Sequence, residues 1–457
     1  MSVHSILYLL FRYLARSQRP ALAARLLLLT TRRFRTLGKP ASLNRDGHRV
    51  LILTHEGFTE DALESFRDAE DFEVIRWPRY ALKAFSAALL SPKLDHNNYV
   101  SDDPDIVATK TAYRRFLSEM WRHYRGVKPV DAVLTGNFAY FTEREFGTVV
   151  EATGTPFIAL HKENVRPPRR IKEYWFTLYK ERRGKFTGRK ILVYNDIERE
   201  LEIATGIVKP KNVVVTGMPR LDWLHRWRRE HAGPVNGSGP PKVLFFAFSR
   251  YDKLTAIERK PSAGLDGNVE DMEGDWGKLS WGKFAEDTHR AICELARVRP
   301  DFEVFIKSKG KRRVLTDIQK MLADMEEPQP PNLKFVVGGI PFDLITESRV
   351  VVGFNTTGLL EAIAAGKPVI VPRFGEALEE SMQDLIIDLG DAVHYANSPE
   401  DLGRLICKFA EQPAEIPGEL PPKTSEVLRH WVGNDDGAAG RRVLEAINHE
   451  FSDGNRQ

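Results

Sequence analysis

Cysteine is almost absent from the 457 residues. Cys293 and Cys407 are the two, each inside an apolar helical pattern and neither at a metal-ligand spacing. A disulfide framework is thereby excluded, and a reducing cytoplasm fits. No C-x-x-C or H-E-x-x-H cluster occurs, so no metal is expected. Long apolar runs are missing too. Ile6-Leu7-Tyr8-Leu9-Leu10-Phe11 and Leu26-Leu27-Leu28-Leu29 fall far short of the ~20 residues that span a bilayer. Nothing matches G-x-G-x-x-G or G-x-x-x-x-G-K-[ST], which argues against dinucleotide enzymes and P-loop NTPases. No repeat with a period of about 20–50 residues is evident.

Acidic residues are lacking at one end. The first fifty residues carry ten Lys or Arg against the single acid Asp46, which is +9. The whole chain is +4, so the other 407 residues carry −5. A mildly acidic body makes nucleic acid an unnatural partner. The basic segment, residues 1–45, is interleaved with apolar side chains. It fits an amphipathic contact with the inner face of the cell membrane, a transit peptide, or a helix pair docked on the body.

What is present is a long α/β rhythm, with 42% hydrophobic and 28% charged residues, enough to bury a sizeable core. Strands are expected at 49–54, 73–76, 131–135, 156–160, 191–194 and 213–216, with helices between them. His225 to Lys242 has a linker composition (Gly237-Ser238-Gly239, Pro240-Pro241). A second series then runs through 243–248, 302–307, 333–337, 350–353, 369–371 and 393–395. Strands alternating with helices imply right-handed βαβ crossovers and parallel sheets. Between Lys260 and Lys283 lies a Gly- and acid-rich insertion with Trp276 and Trp281, which reads equally as a lid or as a plain surface loop.

The stretch that organises the second series is Val350-Val351-Val352-Gly353-Phe354-Asn355-Thr356-Thr357-Gly358-Leu359-Leu360-Glu361. A buried valine strand runs into a hydroxyl-rich turn at a helix start, a place where backbone N–H groups receive phosphate. Glu361 follows one turn into the helix. This stretch resembles the nucleotide-binding half-motif of GT-B glycosyltransferases, particularly surface and capsular carbohydrate biosynthesis proteins. CDP-glycerol glycerophosphotransferases and UDP-N-acetylglucosamine 2-epimerases are more distant relatives of the same shape. Further segments resemble the group: Thr216-Gly217-Met218-Pro219-Arg220-Leu221-Asp222, Phe246-Ala247-Phe248-Ser249-Arg250, and Asp436-Gly437-Ala438-Ala439-Gly440-Arg441. Phe305-Ile306-Lys307 keeps the strand-end lysine but lacks the Pro-His-Pro that glycerophosphotransferases carry after it.

The resemblance implies an α/β, GT-B-like fold, with two Rossmann-like domains whose parallel sheets face each other across a cleft. The divisions it suggests are 1–45 (basic segment), 46–225 (acceptor domain), 226–242 (linker), 243–430 (nucleotide-sugar domain) and 431–457 (a helix crossing back). It further implies that Asn355, Thr356, Thr357, Gly358, Ser249, Arg250, Lys307 and Arg220 meet the donor phosphates and that Glu361 meets the ribose. The alternative for Arg220 is a structural pair with Asp222; for Lys307 it is a solvated strand-end lysine. Base candidates are the strand-end groups Glu56, His55 and His161, and each has a loop-anchoring role as its alternative. Lys162, Arg166, Arg169 and Arg170 form a basic patch, suited to an anionic acceptor or simply solvated. The expected activity is metal-independent transfer of a sugar from a nucleotide-sugar co-substrate, with no other cofactor, to a cell-surface or lipid-linked glycan. The alternatives are a nucleotide-sugar 2-epimerase, an alditol-phosphate transferase, or a degenerate binding protein.

Overall fold

A computed structural model describes residues 3–33, 47–53, 58–78, 80–95, 98–162, 164–166, 169–235, 239–250, 279–308, 313–324, 328–413 and 415–454. Helices α1 (Val3–Arg16) and α2 (Pro20–Thr30) come first, then the two-residue strand β1 (Arg32–Arg33). The first series is β2 (His48–Leu53), α3 (Phe58–Ser65), β3 (Phe72–Trp77), α4 (Ala81–Leu89), α5 (Pro104–Val127) and β4 (Ala132–Thr135). It continues as α6 (Phe141–Glu151), β5 (Phe157–Leu160), α7 (Arg169–Leu178), β6 (Lys190–Val193), α8 (Asp196–Ala204) and β7 (Val213–Val215). Helix α9 (Leu221–Glu230) and the short β8 (Gly233–Pro234) lead to the second series. Residues 226–230, whose composition suggested linker, are therefore the end of a helix.

The second series is β9 (Lys242–Phe246), α10 (Gly282–Val298), β10 (Glu303–Ser308), α11 (Arg313–Asp324), β11 (Leu333–Val337), α12 (Phe342–Glu347) and β12 (Val350–Gly353). Then come α13 (Thr357–Ala364), β13 (Val369–Pro372), α14 (Glu380–Gln383), β14 (His394–Ala396) and α15 (Pro399–Glu411). The chain closes with β15 (Glu415–Ile416), α16 (Pro422–Val432) and α17 (Ala439–Gly454).

The strands form two separate large sheets. The first has the order β1-β3-β2-β4-β5-β6-β7, with every pair parallel except β1 on β3. The second, β11-β10-β9-β12-β13-β14, is parallel throughout and in chain order reads 3-2-1-4-5-6, the Rossmann arrangement. Val350 to Gly353 is buried along its whole length, as a strand covered by helices on both faces must be. Chain direction across the sheet reverses between β2 and β4 in the first sheet and between β9 and β12 in the second, so each has a switch point at its carboxyl edge.

Capping fixes several helix starts. Asp103 accepts from the N–H groups of Asp105 and Ile106 ahead of α5, with Pro104 at its first position. Asn195 and Ser398 do the same for α8 and α15. The basic leader is a docked helix pair in its described part. Phe11, Leu14, Ala15, Ala23, Ala24 and Leu27 are buried in a core shared with α4 and α5.

Helix α17 crosses back onto the first sheet. Val443 and Ile447 are fully buried with Val50, Ile52, Phe58, Leu134 and Leu192. The crossing is clasped by the two segments 216–222 and 433–442. Met218 N–H donates to the Val432 carbonyl (2.9 Å), and the Asn434 amide donates to the Met218 carbonyl (2.9 Å) and to Asp222 (2.6 Å). Gly217 and Gly433 have φ of 83° and 59°. A Cβ at Gly433 would run into the Tyr194 carbonyl oxygen, and one at Gly217 into the carbonyl of Gly433. Both positions thus require glycine twice over, for backbone sign and for space. Gly433→Ala should therefore destabilise the chain by about 1–3 kcal/mol from overpacking alone, read as a lower denaturant midpoint. An unchanged midpoint would mean that the crossing is looser than described.

Candidate functional site

The carboxyl edges of the two sheets meet at Arg220, the residue that precedes α9. Its backbone N–H donates to Asp61 Oδ1 (3.0 Å) and its Nη1 to Asp61 Oδ2 (2.9 Å). The same guanidinium donates from Nε to Glu361 Oε1 (3.2 Å) and from Nη1 to the Tyr194 hydroxyl (3.2 Å). Asp61 lies on α3, just after the carboxyl end of β2, and Tyr194 directly follows β6. Glu361 lies on α13, after the carboxyl end of β12. One guanidinium therefore compensates two buried carboxylates from different sheets.

Burial works against the Arg220 charge, yet Asp61, Tyr194 and Glu361 together hold its pKa above the ordinary value. Burial pushes the Glu361 carboxyl up, against Arg220, while Asp61 raises it further and Lys307 pulls it down. Arg220 and Asp222 do not pair with each other. Asp222 instead accepts from the N–H groups of Ala439 (3.1 Å) and Gly440 (2.7 Å), capping α17 from another part of the chain.

The turn after β12 is built for a close approach of backbone. Thr356 caps α13, its hydroxyl accepting from Gly358 N–H (3.4 Å), and Thr357 begins the helix. Asn355 sits in the left-handed region (φ 49°). Its side chain is committed elsewhere: Nδ2 donates to the Leu385 carbonyl and Oδ1 accepts from Ile387 N–H, both at 2.9 Å. Only the backbone of Asn355 thus remains for a ligand. A Cβ at Gly358 would lie 2.6 Å from the Phe246 ring, so this position brings helix and strand end together.

Ser249 is half-buried and Arg250 exposed beyond the end of β9, with the Arg250 carbonyl accepting from Trp281 N–H (2.8 Å). Trp281, placed by its sequence in an insertion, is fully buried against Phe354 and Phe284. Residues 261–278 of that insertion, Trp276 among them, lie outside the described residues. Lys307 is buried rather than solvated, its ammonium donating to the carbonyls of Gly338 (2.6 Å) and Gly339 (3.0 Å).

Among the base candidates, His55 and Glu56 lie outside the described residues, while His161 directly follows β5 and is buried. His161 Nε2 lies 3.2 Å from Glu198 Oε1. Arg166 donates to both Glu198 oxygens (Nε 2.5 Å, Nη2 3.0 Å) and the Tyr179 hydroxyl donates to Oε1 (2.7 Å). Arg166, grouped by sequence with a basic surface patch, is thus inside, with Trp175 stacked on it. The side chains of Arg169 and Arg170 lie outside the described residues.

Donor atoms of His161, Glu198 and Glu202 fall within 4.8 Å of one another. Glu198 takes part in four hydrogen bonds, three of them at Oε1 and one at Oε2. Glu198 thereby ties His161, Arg166 and Tyr179 into a hydrogen-bonded knot. Both oxygens of buried Glu202 are left without a hydrogen-bond partner. Asp61, Tyr194, Glu198, Glu202 and Asn434 were not legible as site residues. The one local signal was the four-residue spacing of Glu198 and Glu202 on α8; Asp61 is 159 positions from Arg220.

No protein-family model and no curated protein matches the chain. Solved structures align along most of it. A UDP-GlcNAc 2-epimerase from Neisseria meningitidis aligns at 14% identity and TM-score 0.46, over 88% of this chain and 100% of its own. One from Methanocaldococcus jannaschii aligns at 10% identity and TM-score 0.46, over 88% and 99%. A glycosyltransferase from Rickettsia africae aligns at 12% identity and TM-score 0.43, over 89% and 99%. With TM-scores under 0.5 these likenesses carry no argument about the reaction; the strand orders carry the fold. The fold is GT-B-like.

Burial pushes the Glu202 carboxyl well above its ordinary 4.5, and the Glu198 charge adds to this against Arg166. A carboxyl raised in the folded state contributes stability that is fully present below its unfolded pKa and is lost as pH rises through the folded one. Glu202→Gln should then match the native chain near pH 4 and melt about 2–4 °C higher near pH 8. A constant difference across that range would show that Glu202 does not titrate this way.

Proposed function

We propose that this protein is a glycosyltransferase that moves a sugar from a nucleotide-sugar donor to a cell-surface or lipid-linked glycan. The observation that carries this reading is the switch point of the 3-2-1-4-5-6 sheet. The capped, glycine-tight turn 355–358 and the segment 247–250 both leave it there, side by side. Open α/β sheets bind nucleotides at this place, and a helix N-terminus favours their phosphates.

In this reading the donor diphosphate lies against the turn 355–358, at the backbone N–H of Thr357, with Arg250 as its cation. Lys307 supports the site by fixing the Gly338–Gly339 turn. Leaving-group charge is balanced by these groups without a bound metal. Glu361 orients the ribose while Arg220 holds its other side. The acceptor hydroxyl meets the first domain, where Glu56 or His55 is the base. His161 is a positioning residue, because its imidazole is locked in the Glu198 knot. The enzyme works at the inner face of the cell membrane, in contact with it through the basic N-terminal segment.

The two buried carboxylates at the junction, Asp61 and Glu361, favour a second reading, a nucleotide-sugar 2-epimerase. Incubation with a nucleotide sugar alone separates the two: an epimerase converts it without acceptor, whereas a transferase needs one.

The first test is a thermal-shift panel of UDP, CDP, CMP, GDP and their sugars. A ligand at about 100 times its Kd stabilises by about 2.7 kcal/mol, and silence from the whole panel would overturn the reading. With a hit in hand, Glu361→Ala should weaken that nucleotide by about 1–3 kcal/mol, the worth of a charged hydrogen bond. Calorimetry giving the native affinity would remove Glu361 from the site.

A further inference from the structure

Helix α1 is apolar on two sides. Its inner side, with Phe11, Leu14 and Ala15, is buried against the body. Its outer side carries Val3, Ile6, Leu10 and Tyr13, at the three- and four-residue steps of a single helical face. All four are exposed, Val3 to 70% and Tyr13 to 64%, and Leu9 borders them. Helix α2 adds Leu22 and Leu29, the latter 84% exposed. Contiguous exposed apolar side chains of this kind mark a surface that meets something.

The charges say what it meets. Arg16, Arg19 and Arg25 are exposed on and between these helices, and residues 1–45 contain no Asp or Glu. An apolar stripe flanked by arginines, in a segment without Asp or Glu, complements a bilayer with anionic headgroups. The pair cannot cross it: α1 has 14 residues, about 21 Å of helix. Among the described residues no helix is long and apolar enough to span.

The position of the stripe adds orientation. The His4 ring packs edge-on against Tyr80, 5.6 Å between centroids, and Tyr80 stands just beyond the carboxyl end of β3. Strands β3 and β2 are parallel, so α1 begins beside the carboxyl edge that β2 also feeds.

We propose that the outer face of α1 and α2 inserts its apolar side chains into an anionic membrane surface and lies along it, presenting the carboxyl edge of the first sheet to the bilayer. A lipid-phosphate-linked acceptor then reaches the site from the membrane plane. The inference deepens the proposed function and rests on it for the acceptor, but not for the docking.

Flotation of the full chain with vesicles of phosphatidylglycerol and phosphatidylcholine tests it. The native chain should float with these vesicles, and float far less with phosphatidylcholine alone. The double variant Ile6→Asp, Leu10→Asp, altered only at exposed positions, should lose at least tenfold in bound fraction and keep its nucleotide thermal shift. Leu9→Trp should float like the native chain, its fluorescence quenched by brominated lipid. A native chain that stays unbound, a double variant that floats equally, or an unquenched Trp would overturn the proposal. So would a dimer in light scattering that the double variant dissolves while vesicles remain unbound. A chain that floats yet answers no nucleotide would overturn the transfer reading and leave the docking standing.

Discussion

Two carboxylates buried without compensation would be ruinous at the junction of two domains, and a single guanidinium prevents it. Arg220 holds Asp61 from the first sheet's edge and Glu361 from the second's, with Tyr194 completing the ring. Removing one partner from such a group typically costs about 3–5 kcal/mol, because the remaining charges stay buried. The junction is therefore specified by charge balance as well as by the apolar cluster that joins Tyr194, Met218, Leu221 and Leu224 to the core of the second sheet. Any ligand that takes a Glu361 oxygen also acts on a group that ties the two domains together.

A second constraint supports the first. The turn carrying Arg220 is gripped by the C-terminal segment through Gly217, Gly433, Asn434 and Asp222. Two segments that each resemble a GT-B pattern thus form one clasp, more than 200 positions apart in sequence. Helix α17 then completes the apolar core under the first sheet. The turn 355–358 depends on this frame only indirectly. Its own geometry comes from the Thr356 cap, the Asn355 side chain pinned to 385–387, and the Phe246 ring beneath Gly358.

Lys307 and Asn355 are spent on backbone groups, so they shape the site rather than touch a ligand through their side chains. Arg250 is exposed and Thr356 and Thr357 are half-buried at the same edge. Glu198 holds His161 and Arg166 after β5, and Asn164 bonds the His161 carbonyl and the Tyr194 N–H.

Much of the fold was legible in the sequence. Buried parallel strands read as apolar runs such as Val350–Val352, and their bounds fall within a residue or two of those expected. Composition misled where it was asked to place a chain break: residues 226–230 look like linker but have the periodicity of a helix end. It also left Trp281 in a loop, although that ring is core. The capped turn at 355–358 was legible because a hydroxyl residue at a helix start is a local signal.

Pairings across long separations were not legible. That Arg220 answers Asp61 and Glu361 rather than Asp222, that Arg166 is inside, and that Glu202 has no hydrogen-bond partner are facts of packing. Local patterning fixes which segments become strands and helices, because backbone hydrogen bonding and burial act over a few residues. Which buried charges meet is decided only when distant elements close on one another and water is excluded.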